Sequence, residues 1–219
     1  MTKNKISVIL PTSNRYDVAL ENVKNISQQN YPDFEIILCD DSDATYYKAG
    51  SEQFQKNLAQ IKNTKYVYCS RFNINNEKDY GLARARNFGL IEADGEYLVF
   101  LDDRITPAEE NVLSIFYNKL KGNKKTWFFG DKGAHKTSFV ENFSAIKRSH
   151  IIDAGMFCER IDKYGGMSRE LIGRFTRQGF NFEYVPEALA KQVCKSSGWD
   201  KKELEIVEMK QLLGRLFAR

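Results

Sequence analysis

Gly81–Pro107 reads GLARARNFGLIEADGEYLVFLDDRITP, and its interpretation decides the fold. Gly81–Ala93 spaces Leu82, Ala85, Phe88, Gly89 and Ile91 so that they gather largely on one side of a helix. Asp94-Gly95 is a turn signal, and Glu96–Leu101 is an apolar, aromatic run that reads as a buried strand. That strand runs directly into Asp102 and Asp103, with Arg104 behind them. Adjacent carboxylates repel, and their pKa values are driven apart unless a cation lies close, so the stretch demands a positive charge from elsewhere.

Upstream the same alternation repeats. Ile6–Leu10 is a β-branched strand ended by Pro11, and Tyr16–Gln29 carries Val18, Val23 and Ile26 at amphipathic helical spacing. Phe34–Cys39 is a second strand, which ends in Asp40-Asp41; Gln53–Lys62 is helical and Lys65–Cys69 is a third strand. Strands alternating with helices imply an α/β fold with a mostly parallel, doubly wound sheet. Ligands of such sheets bind outside the carboxyl ends of the strands. Both Asp-Asp pairs fall there, which makes them site candidates rather than simple loop caps.

Downstream, Glu109–Leu120 reads as a helix, Thr126–Gly130 as a strand and Gly130–Phe143 as a polar loop. Ala145–Met156 and Met167–Gln178 read as partly helical, and Asn181–Val185 as strand-like. From Asp200 onward Leu204, Val207, Leu213, Leu216 and Phe217 lie among Lys and Arg, the pattern of a basic amphipathic helix. Such a helix can meet an anionic bilayer or a lipid-linked acceptor, pack on the domain, or form a dimer contact. The expected division is a domain over 1–195, with a nucleotide-binding half (1–105) and an acceptor-side half (106–195), followed by the helix at 196–219.

The 219 residues suffice for a substantial core, and 42% hydrophobic with 28% charged residues is an ordinary globular composition. A net charge of +4 favours anionic ligands but is too small to argue for nucleic acid. Cys39, Cys69, Cys158 and Cys194 form no CxxC pair, so free thiols in a reducing cytosol are expected rather than a zinc site or disulfides. No apolar run reaches signal-peptide or transmembrane length, which suggests a soluble cytosolic protein, at most peripheral to a membrane.

The sequence has neither GxGxxG after the first strand nor GxxxxGK[ST], so the usual backbone cradles for phosphate are missing. A nucleotide diphosphate at these strand ends needs another source of positive charge. Mg²⁺ or Mn²⁺ on Asp102 or Asp103 would supply it, because both ions prefer hard oxygen ligands. Asp40 or Asp41 could accept hydrogen bonds from a base or ribose.

The order and spacing of ISVILPTSNR, FEIILCDDSD and GLARARNFGLIEADGEYLVFLDDRITP resemble the inverting glycosyltransferases of family 2, with the GT-A fold, over most of residues 5–192. The resemblance implies that Pro11, Thr12, Asn14 and Arg15 lie near a nucleotide-sugar donor, with Asp40 or Asp41 at the base. It also implies that Arg86 and Asn87 face the donor, Asp102 approaches the ribose or sugar, and Asp103 binds the metal. Arg84 is set aside. The expected activity is metal-assisted transfer from a UDP-sugar, with inversion, to a saccharide, lipid-linked or other acceptor.

Three departures bear on the chemistry. Where relatives often carry a third acid, this chain has Arg104, a cation that could help hold the diphosphate. GMFCERIDKYGGMSREL is similar to the acceptor-side block whose Glu-Asp supplies the general base, and here Met167 and Ser168 hold those positions. The remaining acids nearby are Glu170, Asp162 and Glu159; Glu170 qualifies only if its segment is not helical, since two residues rotate a helix by about 200°. For an acceptor that is already anionic, such as a phosphate or thiolate, a base is less necessary. Lastly, Lys191 precedes Gln192 where some relatives have a metal-binding His, while His135 and His150 read as solvated or locally bonded. A nucleotidyltransferase and a non-catalytic sugar-nucleotide-binding module are the competing functions for such a sheet.

Overall fold

The computed structural model describes residues 2–69, 81–122, 124–133, 138–161 and 166–193. Asp162, His135, Cys194 and the helix expected at 196–219 lie outside them. The elements in chain order are β1 (Thr2–Thr12), α1 (Tyr16–Ile26), β2 (Phe34–Asp40), α2 (Ala44–Leu58), β3 (Thr64–Tyr68), α3 (Leu82–Glu92) and β4 (Gly95–Leu101). There follow β5 (Ile105–Pro107), α4 (Val112–Leu120), β6 (Thr126–Asp131), β7 (Phe143–Lys147), α5 (Arg148–Asp153), α6 (Met167–Arg177) and β8 (Asn181–Gln192).

The strands form one sheet in the order β3-β2-β1-β4-β7-β6-β8-β5. β3, β2, β1 and β4 are parallel neighbours, β7 runs antiparallel between β4 and β6, and β6 is parallel to β8. The mostly parallel sheet expected from the sequence is therefore present. Its two-residue period divides the core. Val8, Leu10, Ile36, Leu38, Val99 and Leu101 face a layer that contains α1 and α4. Ile9, Ile37, Leu98 and Phe100 face the opposite layer, with α3, α5 and α6.

Several elements differ from the sequence reading for local reasons. α2 begins at Ala44 rather than Gln53 because Asp43 Oδ1 accepts the Tyr46 N–H and caps it. Ala145–Met156 is strand followed by a short helix: Phe143 and Ala145 enter one core layer and Ile146 the other, which is strand alternation. β8 runs on past Val185 to Gln192, with a register shift near Pro186, which has no N–H for the ladder. Its far end pairs with β5, so Lys191 lies opposite Thr106 and Gln192 opposite Ile105.

α3 buries a different face from the one expected. Phe88 and Ile91 are exposed, while Ala83, Ala85, Gly89 and Leu90 pack inward together with Arg86 and Asn87. The helix approaches the sheet closely at Gly89, where a Cβ would lie 2.6 Å from Ile9 Cγ2 and 2.8 Å from Cys39 Sγ. Cys39, Cys69 and Cys158 are free thiols, as expected. Among the described residues no helix is long and apolar enough to cross a membrane.

Candidate active site

The sheet order reverses between β1 and β4: the chain leaves β1 toward β2 on one side and later returns to β4 on the other. Such a switch point opens a crevice at the strands' carboxyl ends. The β1–β4 ladder stops at Ile9 opposite Phe100, and Pro11, with no N–H to donate, follows on β1. Thr12 and the Asp102–Asp103 turn occupy the resulting fork. Asp103 Oδ2 accepts the Thr12 hydroxyl at 2.9 Å. The turn is closed by Ile105 N–H on the Asp102 carbonyl, and buried Asn22 of α1 donates Nδ2 to the carbonyls of Asp102, Asp103 and Ile105 at 2.8–3.1 Å.

The cations required by the two acids come from opposite sides. Arg15, at the start of α1, lies 3.2 Å from Asp103. Arg86 of α3 has no exposed side-chain surface, and its Nη2 lies 3.1 Å from Asp102. Burial pushes the Asp103 carboxyl above the usual aspartate value, and the Arg15 charge and Thr12 hydrogen bond only partly oppose this. Arg104 adds positive charge near Asp103, and its carbonyl accepts the Val193 N–H at 2.9 Å, which ties the turn to the end of β8.

Arg86 has a second acidic partner that the sequence reading missed. Its Nη1 lies 2.9 Å from Oε1 of Glu141, and the guanidinium sits over the Phe157 ring. Glu141 is buried, and its Oε2 accepts the Ser168 hydroxyl. Burial alone would raise its pKa, but Arg86 and the Ser168 bond hold it below the usual glutamate value. The next residue, Asn142, donates to Asp102 Oδ2 at 2.7 Å and accepts from Lys132 at 2.6 Å. The dipeptide before β7 thus joins Asp102 to α6. No local pattern announced it, since Glu141 meets partners 55 and 27 residues away in sequence.

The other candidates divide. Asp40 is fully buried and takes the Tyr16 hydroxyl at 2.8 Å, the Tyr66 hydroxyl at 2.5 Å and the Ser42 N–H at 2.9 Å, so its carboxylate serves the end of the sheet. Burial and the Asp40 hydrogen bond push both phenols above the usual tyrosine range. Asp41 pairs with Arg84 at 2.9 Å and packs against Gly81, where a Cβ would lie 2.1 Å from Oδ2. Asn14 has a left-handed φ of 55° and bonds to Ser42 and Asp43, fastening the loop after β1 to the cap of α2. Asn87 exchanges two hydrogen bonds with the Phe157 backbone and donates to Glu159, so its amide holds the loop after α5.

Glu170 does not meet the condition set for it. It lies in the first turn of α6, and both its oxygens are taken by Arg174, at 2.6 and 3.0 Å. Arg174 also donates to the carbonyls of Ala154 and Met156, which makes the pair a clamp on the end of α5. His150 meets the Phe180 ring edge-on.

Among the described residues no group of three or more His, Cys, Asp or Glu converges to hold a metal. A divalent ion seated mainly on a ligand's phosphates needs only one or two protein carboxylates. Asp103 fits that role: it is a hard oxygen donor whose buried charge Arg15 compensates incompletely.

Known proteins resemble this chain in sequence and in fold. The family model described as glycosyl transferase family 2 matches residues 7–182, from β1 through α6 into β8. The chain belongs to glycosyl transferase family 2. It is 32% identical over 171 residues to the GalNAc(5)-diNAcBac-PP-undecaprenol beta-1,3-glucosyltransferase of Campylobacter jejuni, covering 66% of this chain and 52% of that one. It is 31% identical to the cholesterol galactosyltransferase of Borreliella burgdorferi, covering 55% and 30% respectively. The family 2 chain thus spans about half or less of the length of these relatives. Among solved structures it is similar to a mannosyltransferase from Pyrobaculum calidifontis in complex with GDP-Man and Mn²⁺, with TM-score 0.69 and 18% identity over 89% of this chain and 58% of that one. S. aureus TarS gives a TM-score of 0.60 at 17% identity, covering 85% and 36%. These likenesses establish the GT-A fold.

Proposed function

We propose that this chain transfers a sugar from a nucleoside-diphosphate donor, a UDP-sugar, to an acceptor hydroxyl with inversion at the anomeric carbon. The observation that carries the reading is the row of arginine-paired acids at the β1–β4 fork, Arg15–Asp103 and Arg86–Asp102. Arg15 and Arg104 bring positive charge to the side on which Asp103 lies, and a leaving diphosphate is stabilised most by charge already held in place. Thr12 and Asn22 hold Asp103 and its turn, so the acid does not reorganise when the donor binds. Bound at Asp103, Mn²⁺ or Mg²⁺ would neutralise diphosphate charge. Asp102, between Arg86 and Asn142, is the acid proposed to meet the ribose or sugar. Asp41, rather than the enclosed Asp40, is the acid proposed near the base.

The acceptor is proposed to be a saccharide or lipid-linked sugar; the C. jejuni relative's name describes an undecaprenol-linked one. Calorimetric titration with UDP and GDP, with and without Mn²⁺, followed by an assay of nucleoside-diphosphate release from a panel of sugar nucleotides, tests the reading. Metal-dependent binding and turnover are expected. Binding without turnover on any donor would make the chain a non-catalytic module, and binding indifferent to metal would remove the role of Asp103.

A further inference from the structure

We infer that Glu141 is the general base of this site, with the Ser168 hydroxyl as the group that passes it the acceptor's proton. The assignment rests on the glycosyl-transfer reading above. A sugar hydroxyl is a poor nucleophile at neutral pH and needs a positioned proton acceptor as it attacks. A serine cannot be that acceptor by itself, but a serine bonded to a buried carboxylate can relay a proton.

The geometry distinguishes Glu141 from the neighbouring acids. Glu170 accepts from one guanidinium, and Asp102 from Arg86 and the Asn142 amide, so neither is bonded to a hydroxyl that could relay a proton to it. Glu141 instead gives Oε1 to Arg86 and Oε2 to a hydroxyl. Ser168 is only half-buried whereas Glu141 is buried, so the hydroxyl is the accessible end of the pair. The Arg86 fork spans Asp102 on one nitrogen and Glu141 on the other, which couples the donor-side acid to the proton acceptor through one rigid plane. Arg86 also keeps Glu141 ionised at neutral pH.

The step balances as follows. The acceptor oxygen bonds to the anomeric carbon while the bond from that carbon to the diphosphate oxygen breaks, and its electron pair leaves with the nucleoside diphosphate. The acceptor's proton moves to Ser168 Oγ as the Ser168 proton moves to Glu141 Oε2.

The test uses UDP-glucose, UDP-galactose, UDP-N-acetylglucosamine and GDP-mannose with Mn²⁺, and takes water as acceptor because water also has a proton to lose. Nucleoside-diphosphate release is compared with glycosyl azide formation in sodium azide, since azide attacks without a base. For Glu141→Gln the water reaction should fall about 100-fold or more. UDP affinity and the azide reaction should stay near wild type, and Glu141→Asp should restore part of the water rate. Ser168→Ala, which leaves the Arg86 ion pairs in place, should show the same split to a smaller degree and carries the test if Glu141→Gln does not fold. Equal losses with water and azide would make Glu141 only a partner for Arg86 and overturn the assignment, as would an unchanged water rate. Absence of release by the wild type from all four donors would instead overturn the transfer reading, and this assignment with it.

Discussion

Replacing Arg86 by methionine tests the electrostatic centre of the site. The substitution keeps a long side chain but removes the charge that serves two acids. The Arg86 side chain is fully buried, and those of Glu141 and Asp102 are 8% and 22% exposed. Removing one member of a buried ion pair leaves the other charge uncompensated and costs about 3–5 kcal/mol, here mostly on the Glu141 side because Asp102 is better solvated. Against a total stability of about 5–15 kcal/mol that is a large fraction. At roughly 2–4 °C per kcal/mol for a chain of this size, Tm should fall by about 10 °C. The pH dependence supplies a second check. In the wild type Glu141 titrates below its ordinary value, so its contribution is present above the unfolded pKa and is lost as pH falls through the folded one. Without Arg86 burial dominates, the folded pKa rises above the unfolded one, and the penalty is relieved as pH falls through the raised value. Urea unfolding between pH 5 and 8 should therefore give the largest destabilisation at pH 8. A loss under about 1 kcal/mol, or one independent of pH, would refute the reasoning.

Three further substitutions probe the frame around the site. Glu35, buried at the opposite end of the sheet, lies 2.9 Å from Lys65 and 3.3 Å from Lys5 and accepts the Ser7 hydroxyl; burial opposes its charge, but these partners lower its pKa overall. Glu35→Gln should cost about 1–2 kcal/mol at pH 7 and progressively less as pH falls through the lowered folded pKa, measured by urea unfolding at both ends of that range. Glu170→Gln should cost about 1 kcal/mol through its contact with Arg174 and leave nucleoside-diphosphate release unchanged; a 100-fold loss of release at intact stability would restore Glu170 as the base. Gly130→Ala would set a Cβ 2.3 Å from the Phe143 ring and 2.5 Å from the Ala188 carbonyl, so a loss of about 1–3 kcal/mol is expected on thermal unfolding.

Much of this arrangement was legible from residue pattern. β1, β2 and β4 announce themselves by continuous apolar runs, and β2 and β4 each lead into a pair of aspartates. That placed Asp40, Asp41, Asp102 and Asp103 at one end of the sheet, while Thr12 and Arg15 were expected beside them only through the family resemblance. α3 misled because amphipathic spacing assumes that buried faces are apolar, whereas here Arg86 and Asn87 are buried to hold Asp102, Glu141 and the Phe157 loop. Phe88 and Ile91 occupy the exposed side instead. Glu141 was not legible because its meaning depends on contacts across the fold and its local setting is an unpatterned polar loop. β5 escaped notice because three residues, the last of them a proline, carry no period, and only pairing with β8 defines them.

The central claim is that a nucleotide sugar binds at the β1–β4 fork, and a crystal structure with UDP-sugar and Mn²⁺ soaked in tests it most directly. The account predicts the diphosphate beside Arg15 and Asp103, with the anomeric carbon facing Asp102 and the Ser168–Glu141 pair. It would be contradicted by a nucleotide seated elsewhere, for instance in the open polar cleft of about 340 Å³ at the other end of the strands, where Lys5, Glu35 and Lys65 converge.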